Sequence, residues 1–539
     1  MTAALIITWQ FARAFGAPEN IAQRFDNIVH LNAIRLALDS ADASPFEIGR
    51  TSDIGFYPNA WHALTTLTAQ LSGADVPTAV NVANLAFVAV LWPASMMALS
   101  AVLFSGRTAA LVASAALSTG FGAFPALFFN WGVLYPNAVG FATIPATLAT
   151  LVTALRAAPG RDLLRSILLL GLLALGTALG HPNALLAATI FGSLLCAGLV
   201  VRDAVLAPSR STWRRAIAVT VLGGAVSLLF IALARTGAEH SGWQPWQTPA
   251  QAFGEGVLAS PRGYAPTIIV AVLLLAGIIS SVVRPRGIPY VLPFAAAVTL
   301  FVLASGFPVE NRLRGFLTNP WYSDPNRFAA LLAVTAVPVA VLGSLLITDA
   351  VRAALLRTQP RLSATAYRSL SAVAAIGATA IVFSVGTGPN VSSALSQVRE
   401  AYTSTPEALL LSPDERALID RLDQHLSPGD LIIGSPRTGV SLAYALAGFH
   451  VTERHIFGSP SEDDRFLDSH LRDIGVDPAV CQAVGRVGVD YVLDFGPRDV
   501  IDESGAAAYA GVIDLEPSEH LVLVDSQGPD ARLFRVEGC

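Results

Sequence analysis

Residues 161–201 read RDLLRSILLLGLLALGTALGHPNALLAATIFGSLLCAGLVV. Two apolar runs, 164–180 and 184–201, are parted only by His181, Pro182 and Asn183. Each is close to the roughly 20 residues a helix needs to cross a bilayer. Their outer flanks carry Arg161, Arg165 and Arg202, while the joint between them carries no Arg. Such a pair is a membrane hairpin, with its tight end on the side that basic residues avoid.

The same pattern extends in both directions. Apolar runs occur at about 79–104, 108–126, 138–155, 164–180, 184–201, 216–234, 265–283, 288–305, 328–347 and 369–387, about ten in all. Every second joint is short and Arg-rich, as at Arg107, Arg156, Arg210, Arg214, Arg215, Arg284, Arg286, Arg352 and Arg357. The positive-inside rule puts that set in the cytoplasm. The opening nine residues, MTAALIITW, are too short to span and read as the last turns of a truncated first helix. The expected fold is a polytopic α-helical membrane protein with a C-terminal extracytoplasmic α/β domain. Composition agrees: 53% of the 539 residues are hydrophobic, 14% are charged, and the mean hydropathy is +0.56. Soluble domains carry about 25% charged residues.

All 34 basic residues are Arg. Without Lys there is no Walker-type phosphate loop and no Schiff-base chemistry. Charge also divides the chain. Residues 388–539 hold 11 Arg against 25 acidic residues, a net of −14, and residues 1–387 carry +9. The composition suggests three parts: 1–78, a helix stub and long outer loop; 79–387, the transmembrane helices; and 388–539, an acidic domain. In that last part, strand-like runs at 430–434, 489–494, 520–524 and 532–536 alternate with helical stretches near 412–426, 437–447, 462–473 and 478–486. That order predicts a partly parallel sheet. Cys481 and Cys539 are able to pair if the domain lies outside the cytosol, and Cys196 reads as a small core residue.

Polar residues gather in the outer joints. Apolar positions Ile28, Leu31, Ile34 and Leu38 recur at helical spacing and predict an amphipathic helix on the membrane surface. Asp26 and His30 share one face of it. Asp26 reads either as the helix cap or as a general base. Asp53, Tyr57, Trp61 and His62 follow within ten residues. The aromatics suit an interfacial belt and equally suit stacking on a sugar ring. Pro-Asn occurs at 58–59, 136–137, 182–183 and 325–326, each time before an outer helix. Tyr-Pro-Asn-Ala occurs twice, placing Tyr135 and Asn137 in this group, and His181 precedes the third copy. Pro in a first turn is ordinary helix-start chemistry. Several such starts around one cavity would favour a phosphate. The last outer joint, Asn311–Arg327, ends in Trp321-Tyr322-Ser323-Asp324-Pro325-Asn326-Arg327 and carries three Arg, Arg312, Arg314 and Arg327, against the sidedness rule. Arg327 is placed to clamp a lipid phosphate or to contact a lipid headgroup.

Together these features resemble the GT-C class of membrane glycosyltransferases. Phe25-Asp26 with His30 resembles the first-loop acidic motif of protein mannosyltransferases. The Ala-rich, all-Arg composition and the Trp321–Arg327 segment resemble an actinobacterial branch of the class whose relatives build the cell envelope. The resemblance implies a polyprenyl-phosphate sugar donor, a glycan or glycolipid acceptor, and an inverting displacement at the outer face of the plasma membrane. Arg327 would hold the phosphate and Asp26 would take the acceptor proton. Asp53, His30 or His62 would position the acceptor or bind a divalent cation. The substrate-binding expectation covers His30, Tyr57, Trp61, His62, Tyr135, Asn137, His181, Trp321, Tyr322, Asp324 and Arg327, with Asp26 and Asp53 catalytic. Partners are membrane lipids and the two substrates, with no nucleic acid. Two other readings stay open: a lipid or polysaccharide transporter, and a non-catalytic envelope assembly protein. The first is opposed by spans nearly free of ionisable residues.

Overall fold

The computed structural model describes every residue except 236–242, 284, 359–379 and 502. Among the described residues, seven helices are long and apolar enough to cross a membrane: Val76–Leu103, Tyr135–Arg156, Arg161–Gly180, Pro182–Leu206, Arg210–Leu233, Ile288–Gly306 and Pro325–Val351. The runs expected at 108–126 and 265–283 give shorter apolar helices, Thr108–Leu117 and Ile268–Val283. The first of these stops early because Gly120, Gly122 and Pro125 follow it and oppose helix continuation. The run at 369–387 falls largely outside the described residues. The opening residues form a helix, Thr2–Phe15.

The chain folds as two compact units. The first comprises Met1–Phe11, Leu85–Phe128 and Tyr135–Gln397. It is helical, and its centre is the helix beginning at Pro325, with 78% of its apolar window buried. At the periphery, Arg161–Gly180 and Arg210–Leu233 bury only 17% of theirs. Leu164, Leu168, Leu172, Val221, Leu222 and Leu229 stand exposed on them. A soluble protein rarely presents so continuous an apolar surface; hydrocarbon chains satisfy it. Gly277 and Gly343 let two helices touch backbone to backbone. A Cβ at Gly277 would stand 2.1 Å from the Val339 carbonyl oxygen, and one at Gly343 would collide with that of Leu273. Small residues at a crossing are how helices pack closely without a hydrophobic driving force. Helix starts are capped locally, with Ser209 and Thr212 forming a reciprocal capping box.

The second unit comprises Ala12–Asn84, Phe129–Leu134 and Val398–Cys539. Its sheet has five strands: β1 (Leu431–Ile433), β2 (His450–Val451), β3 (Tyr491–Asp494), β4 (Leu521–Gln527) and β5 (Ala531–Val536). Their order is β2-β1-β3-β5-β4. β1 runs parallel to β2 and β3, with Ile432 opposite Tyr491. β5 is antiparallel to β3 and β4. All four strand-like runs of the sequence are strands, and the two-residue β2 is an addition. The helices Pro413–Ile419, Leu442–Ala447 and Glu462–His470 fall within the expected stretches, and Pro478–Val487 runs one residue past its own. Leu467, Leu471, Val480, Val492 and Phe534 form the core beneath the sheet. Cys481 and Cys539 are joined in a disulfide, and Cys196, in the first unit, is buried and free.

The long loop that follows the first helix belongs to this second unit. Its helix, Asp26–Ser40, is where expected, but its first two turns present no exposed polar face. Residues 27 to 34 are buried all round, because the polar positions are covered by protein as fully as the apolar ones. Asn32 Nδ2 donates to the carbonyls of Ser441 (3.0 Å) and Arg454 (2.7 Å). Asn27 Nδ2 donates to the Ala22 carbonyl at 3.0 Å. Gln23 is tied at both ends, its backbone N–H donating to the Ala401 carbonyl and its side-chain Oε1 accepting the Leu411 N–H. Buried amide N–H groups with such partners cost little, while the Asn27 and Asn32 side-chain oxygens meet no donor among the described residues.

Candidate functional site

In the first unit three helix starts meet on one guanidinium. The helices beginning at Tyr135, Pro182 and Pro325 each carry Pro in the first turn and Asn directly after it. Asn137 is the hub. Its Nδ2 donates to Asn183 Oδ1 at 2.9 Å, and its Oδ1 accepts from Arg327 Nη1 at 2.5 Å. The Arg327 Nε edge faces Asp324 Oδ2 at 3.4 Å. The other Asp324 oxygen accepts from the Asn326 backbone and side-chain N–H groups, both at 2.9 Å, which caps the helix. Arg262 Nη1 donates to Asn326 Oδ1 at 2.5 Å. Tyr322, held at φ +61°, lays its ring 4.8 Å from the guanidinium carbon of Arg327. His181 caps the second helix, its Nδ1 accepting the Asn183 N–H at 3.3 Å. Burial, and then the nearby Arg327 charge, hold His181 well below its usual pKa. Three buried donors here, Asn183 Nδ2, Arg327 Nε and Trp321 Nε1, make no hydrogen bond among the described residues.

Three helix N-termini, one planar cation held by the Asn137 amide and the Asp324 carboxylate, and unsatisfied donors beside it form an arrangement chemically suited to an anion with several oxygens. Arg327 keeps 12% of its side chain exposed, enough to meet a ligand from one side. Of the other two Arg in the joint, Arg312 and Arg314, the second has a structural use: it donates to the Ala304 and Trp243 carbonyls at 3.3 and 2.6 Å.

In the second unit the polar centre is a group of histidines. His30 Nδ1 and His62 Nε2 share one hydrogen bond at 3.1 Å. His30 packs edge-on against Trp61 (5.3 Å), and Tyr57 packs edge-on against His62 (5.4 Å). His455 Nδ1 bonds Ser52 Oγ at 2.8 Å. Burial lowers His62 to about 3 and His455 to about 4. Burial and then the neighbouring histidines lower His30 as well. All three rings are therefore neutral at pH 7. Asp26 opens the helix that carries His30, and a side chain at Gly132 would come within 3.0 Å of its carboxylate. The residue before Asp26 is Phe25, which makes no side-chain cap.

Several expectations need correction. Trp61 is not a sugar-stacking platform: it is fully buried and donates its indole N–H to Asn84 Oδ1 at 2.8 Å. Trp321 and Tyr135 are also buried, at 0 and 1% exposure; they pack the starts of their helices and have no open face. Asp53 is exposed and accepts the Ser459 N–H at 2.6 Å, pinning the 458–459 turn. Asp26 is the first helical residue and does not occupy the capping position. His30 and His62 direct nitrogens at each other, and Asp53 is engaged elsewhere, so this set does not fit a divalent cation. Among the described residues the one group close enough to hold a metal is Cys481, His520 and Cys539. Its sulfurs are bonded to each other, and metal binding needs thiolates.

Sequence reasoning missed Asn183, Asn326 and Arg262 as partners of the Arg327 cluster, although the repeated Pro-Asn signal contained the first two. It also missed His455 and Ser52, more than 400 residues apart, for which no local signal exists.

The oligosaccharyltransferase AglB from Archaeoglobus fulgidus, in complex with an inhibitory peptide and a dolichol-phosphate, is similar with a TM-score of 0.49 at 10% identity, over 91% of this chain and 68% of that one. ArnT from Cupriavidus metallidurans in the apo state gives 0.48 at 13% identity, over 98% of this chain and 97% of that one. The same protein bound to undecaprenyl phosphate gives 0.45 at 13% identity, over 99% and 96%. No curated protein matches the chain. The model described as a family of unknown function (DUF6541) matches residues 1–538, and the chain belongs to that family.

Proposed function

We propose that this protein is a membrane glycosyltransferase of the GT-C type. It moves a sugar from a polyprenyl-phosphate donor to a cell-envelope glycan or glycolipid on the outer face of the plasma membrane. The observation that carries this reading is the meeting of three helix N-termini on Arg327. A lipid phosphate is the anion a membrane supplies at such a place, and as a leaving group it gains charge during transfer. Donors fixed in advance stabilise that charge without reorganising. Asp26 is the proposed base, taking the acceptor hydroxyl proton as the oxygen attacks the anomeric carbon. One displacement with one base inverts the configuration. The disulfide between Cys481 and Cys539 supports an oxidising location for the C-terminal part.

The test is transfer from a labelled polyprenyl-phosphate sugar by the full chain in liposomes. Arg327→Lys keeps the charge opposite Asp324 but loses the planar fork. It is expected to lower turnover by about 10²-fold, the scale of losing one preorganised donor. Asp26→Asn is expected to lower turnover by about 10²–10⁴-fold. Full turnover in Asp26→Asn removes the base, and full turnover in Arg327→Lys removes the phosphate clamp.

A further inference from the structure

The first unit contains a second place suited to an anion, at the far end of one of the same helices. A cavity of about 620 Å³ is lined by the last turns of Pro182–Leu206, by Thr220 of Arg210–Leu233, and by the first turn of Ile288–Gly306. Asn183 and Arg202 lie on one helix; at 1.5 Å per residue they stand about 28 Å apart, so this cavity is not the Arg327 cluster. Its walls include Val201, Val205 and Leu292, and two cations, Arg202 and Arg286, also line it.

The charges are available. Arg286 makes no hydrogen bond or ion pair with any described residue. Arg202 gives Asp203 Oδ1 two N–H groups, at 3.1 and 2.9 Å, out of the five a guanidinium has. Ile288–Gly306 begins in the lining with Pro289 in its first turn, so its amino-terminal N–H groups add to the preference for negative charge. Apolar side chains beside the cations are exposed: Val205 61%, Val283 71% and Ile288 42%. Cations beside an apolar slot between spanning helices match a molecule with an anionic head and a hydrocarbon tail. Both Arg belong to the joints that the positive-inside rule assigns to the cytoplasm, where anionic phospholipids concentrate.

We propose that this cavity binds an anionic phospholipid of the inner leaflet, with its phosphate between Arg202 and Arg286 and an acyl chain along Val201 and Leu292.

Native mass spectrometry of the full chain, released from nanodiscs of equal phosphatidylglycerol and phosphatidylcholine, tests it. The wild type is expected to retain phosphatidylglycerol at least about fivefold over phosphatidylcholine, the scale of one lost charge contact. The double variant Arg202→Gln, Arg286→Gln brings the ratio to unity, and the double Lys variant keeps most of the excess. Ala197→Phe fills the slot, leaves both charges and loses the retained lipid. Equal retention in the wild type, or an excess that survives the Gln variant, overturns the site. So does displacement of phosphatidylglycerol by added polyprenyl phosphate. Arg327→Lys should leave the ratio untouched; if it abolishes the excess, the lipid belongs to the Arg327 cluster and the proposal falls. A failed transfer assay with the excess intact would count against the transferase reading alone.

Discussion

The polar centre of the first unit is the Arg327 guanidinium, held by the Asp324 carboxylate and by Asn137, which in turn bonds Asn183. That of the second unit is three buried imidazoles, His30, His62 and His455. The first arrangement keeps its charge at any accessible pH, because Arg does not deprotonate in proteins. The second is buried only in its neutral form, and acid works against it. One centre keeps a fixed cation, the other stays folded around uncharged rings. Variants and pH can therefore separate them.

The largest expected effect lies in the second unit. Trp61 fills a fully buried site and donates to the Asn84 side-chain oxygen. Trp61→Ala removes that volume and leaves an amide oxygen without its donor, at a cost of about 3–5 kcal/mol. Thermal unfolding of the full chain in detergent at pH 7 measures it. A midpoint close to the wild type would mean that the histidine group is not the packed centre described here.

Next in size is the response to acid. His62 has an ordinary pKa of 6.5 when unfolded and about 3 when folded. Between those values the unfolded chain binds the extra proton, so folding stability is lost as pH falls. From pH 6.5 to pH 5 the loss is about 2 kcal/mol for this one group, at about 1.4 kcal/mol per unit. His455, at about 4, adds a loss of the same sign. Glu453 and Asp468 oppose it: burial holds both above the usual carboxylate range, which favours the folded state at low pH. The difference between wild type and His62→Gln isolates the histidine. The variant is expected to gain about 2 kcal/mol on the wild type between pH 7 and pH 5, read from denaturation midpoints. Parallel curves would place a charged His62 in the fold.

The two centres also differ in how much of them the sequence carried. Pro136-Asn137, Pro182-Asn183 and Pro325-Asn326 are local signals. The backbone needs Pro in a first turn, and the Asn after it falls one position deeper on the same start, so three starts brought together bring three amides together. The alternating strands and helices after residue 412 were legible for the same reason, since each element is set by its own period and caps. His455 was not legible, because its partner Ser52 is more than 400 residues away and neither has a pattern of its own. The Asp26–Ser40 helix was half legible: the 3.6-residue period gave the helix, but nothing in that period says that Ser441 and Arg454 cover its polar face.

In the first unit, Asn137→Ala removes the acceptor for Arg327 Nη1 and the donor to Asn183. A buried hydrogen bond to a charged group contributes about 1.5–3 kcal/mol, but Asp324 remains to hold the guanidinium. The expected result is a rise of about tenfold in the donor concentration needed for half-maximal transfer, equivalent to about 1.4 kcal/mol. Folding stability should change less than in Trp61→Ala. Unchanged donor dependence would mean that Arg327 needs no amide to orient it.

Tyr322 should matter least. Its ring lies 4.8 Å from the Arg327 guanidinium carbon, and the residue is 36% exposed, so water competes for the cation. A cation–π contact at such a site is worth about 0.5–1 kcal/mol, a two- to fivefold change. Tyr322→Leu keeps comparable apolar bulk but has no quadrupole, and it should weaken transfer by that factor without changing its pH profile. Tyr322→Phe keeps the ring face and should behave as the wild type. If Phe were as damaging as Leu, the hydroxyl would be the working group, and Tyr322 would be touching substrate as well as steadying the arginine.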